Sequence, residues 1–294
     1  MTSAADWWLG ARPRTLPAAV VPVLIGTAVA LSERNDLVFT DWFPRSGLAL
    51  FVSLALQVGV NYANDYSDGI RGTDDDRSGP VRLVASHRAT PRAVKGAAFS
   101  ALGSACVAGL ALAALTTWWL VVLGAACVAA AWFYTGGSRP YGYAGLGEVF
   151  VFVFFGLVAT VGTAYVITQT VSLLAVLSGA ISGCLSVALL MVNNIRDIPG
   201  DARSGKRTLA VRLGESLSKR LFVATYGAAA AFIVAASTQS LGAILGLFGL
   251  LAALPAISTV RNAAEARDLV LALGMVARVQ LVVGVLFAVG LIIR

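Results

Sequence analysis

Only one histidine, His87, and three cysteines occur in the 294 residues. Cys106, Cys127 and Cys184 lie far apart in apolar runs without metal-ligand spacing, so they read as packing residues and no disulfide is expected. Charge is scarce as well: Asp, Glu, Lys and Arg make up 13% of the chain against 58% hydrophobic residues, with a mean hydropathy of +0.81. A soluble domain carries about 25% charge. The composition excludes one and implies an integral membrane protein whose first partner is the lipid bilayer.

What is present is a series of long charge-free runs. Thr15 to Ser32 and Ser46 to Asn64 hold 18 and 19 residues, each enough for one crossing of about 20 residues. Gly96 to Ser138, Val149 to Ile195 and Leu221 to Val260 are each long enough for two, with polar breaks at Thr116-Thr117, Thr168-Gln169-Thr170 and Ser237 to Ser240. Leu269 to Ile293 supplies the last. The prediction is an all-α polytopic membrane protein of nine transmembrane helices in one bundle, a single domain over residues 1–294. Arg12 and Arg14 before an apolar run have the outline of a secretory signal, but the run exceeds the roughly 7–15 residues of such a segment and reads as the first membrane helix.

Basic residues set the orientation, because cytoplasmic loops collect Lys and Arg. Nineteen of the 22 fall on one side of the predicted topology, and only Arg34, Arg45 and Arg294 fall on the other. The N-terminus is predicted to be cytoplasmic and the C-terminus outside. The net charge of +7 expresses this bias together with affinity for anionic headgroups or an anionic substrate; no nucleic-acid partner is expected.

Two polar runs end charge-free stretches on the basic side: Asn61-Tyr-Ala-Asn64-Asp65-Tyr-Ser-Asp68-Gly69 and Asn193-Asn194-Ile-Arg196-Asp197-Ile-Pro-Gly-Asp201. Residues three and four apart share a helix face, which aligns Asn61, Asp65 and Asp68, and Asn193, Asp197 and Asp201. Two such faces meeting at one end of a bundle would gather four carboxylates that repel unless a cation joins them. Oxygen donors without His or Cys favour Mg²⁺, which takes its remaining ligands from water and substrate phosphates. Arg71, Arg82, Arg196, Lys206 and Arg207 then suit phosphate oxygens, with Asn64 beside them. The bland alternative is interfacial salt bridges. Asp74-Asp75-Asp76 reads as a solvated loop run, and His87 is given no catalytic role.

A glycine- and tyrosine-rich stretch, Tyr134 to Glu148, joins the predicted fourth and fifth helices on the same face. Its tyrosines either belong to an interfacial aromatic belt or face the site. Phe150, Phe152, Phe154 and Phe155 follow; two or more are expected to face lipid, and any that face inward would form an apolar wall for a cation or a long hydrocarbon.

These runs resemble the intramembrane aromatic prenyltransferase superfamily over essentially the whole chain. Asn61 to Gly69, Gly79-Pro-Val-Arg82-Leu-Val, Tyr134 to Glu148 and Asn193 to Leu209 resemble its 1,4-dihydroxy-2-naphthoate polyprenyltransferase branch, of menaquinone biosynthesis. The resemblance implies two Mg²⁺ ions and basic side chains on the diphosphate of an all-trans polyprenyl donor, with Asp65, Asp68, Asp197 and Asp201 as catalytic residues on the cytoplasmic side of the cell membrane. An allylic cation would attack 1,4-dihydroxy-2-naphthoate with loss of carbon dioxide, giving demethylmenaquinone. The anionic acceptor needs a cation near an aromatic mouth, and Arg139 with Tyr134, Tyr141 and Glu148 is the candidate set; Arg139 could instead serve the diphosphate. The superfamily spaces its first motif as Asn-x3-Asp-x3-Asp, whereas here Asp68 follows Asp65 by three and position 69 is Gly, leaving open whether Asp68 binds metal directly or through water. The superfamily's Tyr-x3-basic element is also shifted, Ser138 filling the place and Arg139 following. The alternatives are a prenyltransferase of the same superfamily with another aromatic acceptor and, ranked below it, a CDP-alcohol phosphotransferase, through Asp65-x2-Asp68-Gly69, or a secondary transporter.

Overall fold

The computed structural model describes residues 2–73 and 81–293. The run Asp74 to Asp76, the pair Gly79-Pro80 and Arg294, all interpreted above, lie outside the described residues. Within them the chain is helical throughout, without strands. In chain order the helices are α1 (Ala4–Gly10), α2 (Pro17–Glu33), α3 (Phe39–Ile70), α4 (Pro91–Leu115), α5 (Leu120–Phe133), α6 (Gly147–Thr168), α7 (Leu173–Arg203), α8 (Leu209–Ser237), α9 (Leu241–Asn262) and α10 (Ala266–Ile293).

Seven of these, α3, α4 and α6 to α10, are long and apolar enough to cross a membrane. An eighth span arises if Ala4–Thr15 and Pro17–Glu33, bent by 52° at their junction, are taken together, and the apolar α5 is shorter, at 14 residues. Helix ends fall where local chemistry stops the spiral. Thr116 and Thr117 separate α4 from α5. Gln169 turns left-handed at φ +59° after α6, and the Ser172 hydroxyl then caps α7 by accepting the Ala175 N–H. Thr90 and Thr208 cap α4 and α8 in the same way.

Helix α7 is the axis of the bundle: 78% of its apolar window is buried, against 28–33% for α3, α4, α6, α8 and α9. Its Ile181, Leu185 and Met191 form one core with Val21, Ile25 and Val29 of α2 and with Phe222 and Phe287 of α8 and α10. Outer faces carry Val107, Val122, Leu254 and Leu271, exposed as lipid contact requires. Inside, small residues let backbones approach. Gly156 of α6 lies so close to α7 that a Cβ there would stand 2.4 Å from the Gly183 Cα. The same helix loosens into a π segment over Phe152–Val158.

Candidate active site

Both polar motifs are the last two turns of long helices, α3 and α7, which end on the same side of the bundle. Each helix runs past its apolar stretch, so the acids sit on continuous helix rather than in loops. Between these ends opens a cavity of about 1040 Å³. Asn193, Asp197 and Asp201 line it from α7, at the spacing of four that keeps one face. From α3 the lining residues include Gln57, Asn61, Asn64 and Asp68. The pair Asn64 and Asp68 repeats that four-residue spacing, in a frame three residues later than one beginning at Asn61.

The connecting loops close over the acids. Lys206, just past α7, places Nζ 3.0 Å from Asp68 Oδ2 and 3.8 Å from Asp201 Oδ1, so one ammonium joins the two motifs. Tyr143 donates its hydroxyl to Asp68 Oδ1 at 2.7 Å, with the Lys206 ammonium 4.7 Å above its ring. Burial, and then the Asp68 charge, push the Tyr143 phenol up, so it stays a protonated donor. Arg196 and Asp197 form a two-bond pair at 2.7 and 2.8 Å. Thr135 donates to Asn64 Oδ1 at 2.8 Å, and Arg207 donates its backbone N–H to the Tyr143 carbonyl at 2.9 Å. The segments after α3, α5 and α7 are thus tied together around the acids.

Other candidate residues are placed elsewhere. Asp65 is buried but does not line the cavity; its carboxylate accepts the N–H groups of Leu83 at 2.8 Å and Val84 at 3.0 Å, anchoring the segment before α4. Asn61 lines the cavity while donating to the Ala11 carbonyl at 2.8 Å and the Thr15 hydroxyl at 3.2 Å. Arg71 donates to the carbonyls of Thr135 and Gly137 and stacks 5.4 Å from the Tyr143 ring, outside the lining. Arg139 and Arg207 are exposed and also outside it. Glu148 is buried behind the wall, accepting from the Asn194 amide at 2.8 Å; Asn194 is the one that reaches the cavity. Arg82, Arg196 and Lys206 do line it.

The wall beyond the acids is aromatic, then aliphatic. Tyr134, Tyr141, Phe150 and Phe154 form a chain of ring contacts with centroid separations of 5.4, 3.9 and 5.9 Å, and all four line the cavity together with Phe155. Three of the four phenylalanines therefore face inward, where two or more were expected to face lipid. The fourth, Phe152, packs against Gly183, so the widened π segment distributes α6 between cavity and core. Further down, Leu110, Leu120 and Leu123 of α4 and α5 carry the lining into the bundle.

Sequence reasoning missed Arg12, Thr135, Tyr143, Asn194 and Arg203, all of which line the cavity. Asn194 and Arg203 stood within or beside the second motif, and Tyr143 within the loop already singled out. Arg12 carried no signal beyond its charge.

Among the described residues no group of three His, Cys, Asp or Glu side chains stands close enough to form a metal centre alone. Oxygen donors nonetheless line the cavity from both helices, among them those of Asn64, Asp68, Asn193, Asp197 and Asp201, with no His or Cys in either motif. Asp68 and Asp201 already converge on a cation, the Lys206 ammonium. This set fits Mg²⁺, which is held by a few protein oxygens and completed by phosphate.

Residues 19–272 match the UbiA prenyltransferase family. The chain is 48% identical over 270 residues to a 1,4-dihydroxy-2-naphthoate octaprenyltransferase of Mycobacterium tuberculosis, covering 92% of this chain and 91% of that one. It is 38% identical over 223 residues to the enzyme of the same name from Escherichia coli, covering 73% and 70%. Its fold is shared, at a TM-score of 0.68 and 10% identity over 96% and 99% of the two chains, with a UbiA homolog from Archaeoglobus fulgidus solved with DMAPP and Mg²⁺. The phosphotransferase and transporter readings are set aside by these matches. An oxygen-lined mouth built from the ends of two helices, above an aromatic and aliphatic cavity, stands in a chain that belongs to the UbiA prenyltransferase family.

Proposed function

We propose that this chain transfers a polyprenyl group from an all-trans polyprenyl diphosphate to 1,4-dihydroxy-2-naphthoate, releasing diphosphate and carbon dioxide and leaving the reduced form of demethylmenaquinone. The observation that carries the reading is the meeting of Asn64 and Asp68 with Asn193, Asp197 and Asp201, beside four basic side chains, at the mouth of a cavity whose farther wall is largely aromatic and aliphatic. The relatives at 48% and 38% identity, named for this acceptor, support the same choice.

Those five residues would hold Mg²⁺, two ions in all, which would supply positive charge against the departing diphosphate. Lys206, Arg82, Arg196 and Arg203 line the same mouth and bind diphosphate oxygens. As the carbon–oxygen bond breaks, the allylic carbon becomes cationic beside the aromatic wall of Tyr141, Phe150 and Phe154, whose π electrons stabilise it, the Tyr141 hydroxyl being engaged by the Ala130 carbonyl. The ring carbon bearing the acceptor carboxylate attacks, and loss of carbon dioxide restores aromaticity. The prenyl tail lies against Leu110, Leu120, Leu123 and Val158.

In the membrane we infer nine crossings, α2 to α10, with the N-terminus and the site cytoplasmic and the C-terminus outside, forming one prenyltransferase domain. Support comes from the side on which the basic residues fall and from the loops after α3, α5 and α7 meeting at one end. The test is turnover by purified protein given polyprenyl diphosphate, 1,4-dihydroxy-2-naphthoate and Mg²⁺. Activity lost to EDTA and restored by Mg²⁺ is expected. Prenylation of 4-hydroxybenzoate or homogentisate in place of the naphthoate would overturn the acceptor.

A further inference from the structure

Arg12 sits at the bend between α1 and α2 with φ +55° and ψ +69°, left-handed and directly before Pro13. A non-glycine residue pays about 1–2 kcal/mol for such a backbone, so neighbours must hold it. They do so through a polar network. Asn61 donates to the Ala11 carbonyl at 2.8 Å and the Thr15 hydroxyl at 3.2 Å. Gln57 donates to that hydroxyl at 3.0 Å, and Thr15 itself donates to the Arg12 carbonyl at 2.9 Å. The amides of α3 are therefore committed to shaping this turn.

What the turn presents is a guanidinium. Arg12 lines the cavity, and its Nη2 is buried without a hydrogen-bond partner. A buried charged donor left unsatisfied is costly, which is explained if an anion completes it. Two anions enter this cavity under the function proposed above. The diphosphate already has four cations at the mouth. Arg12 is anchored at Asn61, seven residues before Asp68 and hence about 10 Å down the helix from the Asp68–Lys206 pair. Its planar fork matches a carboxylate in two parallel hydrogen bonds.

We propose that Arg12 binds the carboxylate of the aromatic acceptor and thereby selects carboxylated naphthalenes; the inference rests on the acceptor proposed above. The probes are 1-hydroxy-2-naphthoate and 1-naphthol, which differ by that carboxylate, measured for binding to the full-length protein alongside the KM of each substrate. Loss of one charge-assisted pair predicts that Arg12→Gln weakens 1-hydroxy-2-naphthoate and raises the KM for 1,4-dihydroxy-2-naphthoate by about 10- to 100-fold. Binding of 1-naphthol and the KM for polyprenyl diphosphate should stay unchanged, which also shows the variant folded. Arg12→Lys, keeping charge without the fork, should lose less. Equal weakening of both naphthalenes, or an increase confined to the polyprenyl diphosphate, would overturn the role of Arg12. Should the wild type ignore 1,4-dihydroxy-2-naphthoate altogether, the acceptor assignment fails and this inference with it.

Discussion

Asp65 and Asp68 are three residues apart, both buried, and employed differently. Asp68 faces the cavity between Tyr143 and Lys206, whereas Asp65 faces away and takes two backbone N–H groups. Their substitutions should therefore fail in different ways. Asp68→Ala, Asp197→Ala and Asp201→Ala are expected to lower kcat by about 100- to 1000-fold, as removal of a group stabilising transition-state charge does, over and above any stability lost by leaving Tyr143, Lys206 or Arg196 without its carboxylate. Asp65→Ala strands the Leu83 and Val84 N–H groups and should cost about 2–4 kcal/mol of stability. Thermal unfolding beside steady-state kinetics checks both; an Asp65→Ala protein as stable as the wild type would refute the anchoring role.

At the scale of elements, the aromatic wall depends on how α6 lies against α7. Gly156 meets Gly183 with no room for a side chain, and the π segment starting at Phe152 turns Phe154 and Phe155 toward the cavity. Gly156→Val should push α6 outward, with an overpacking cost of about 1–3 kcal/mol, and should depress turnover through the displaced Phe150 and Phe154. Gly227, on α8, has nothing within 4 Å of where a Cβ would stand and does not line the cavity, so Gly227→Ala should leave both unfolding temperature and turnover near wild type. Similar losses in the two variants would show that the close approach is not what sets the wall.

For the whole molecule the open matter is sidedness. The proposed N-in, C-out arrangement predicts that single cysteines placed at Ser86 and Ser204, with Cys106, Cys127 and Cys184 replaced, react only with cytoplasmic reagent, and one at Ser237 only with external reagent. Ser204 and Ser237 lie at opposite ends of α8 or its preceding turn, separated by the 29 residues of Leu209–Ser237. Labelling of both from one side would overturn the topology and the cytoplasmic placement of the site.

The sequence by itself determined that this chain belongs in a membrane, where its helices break and which short runs bring carboxylates and amides to the cavity. These are local matters: a charge in hydrocarbon or a polar break between apolar runs is costly whatever the neighbours do. Thr116-Thr117, Gln169 and Ser237 accordingly end helices in the structure as their polarity suggests. Direction around each helix axis is another kind of question. Asn61, Asn64, Asp65 and Asp68 can be grouped by spacing in more than one way, and only the packing of α1, α5 and the segment before α4 against α3 assigns Asn64 and Asp68 to the cavity and Asp65 to the backbone of Leu83 and Val84. The same packing leaves Arg139 exposed at the surface and brings Arg12, 56 positions before Asp68, into the cavity lining. Rotation and long-range approach are set by contacts between helices distant in the chain, and no window of the sequence contains them.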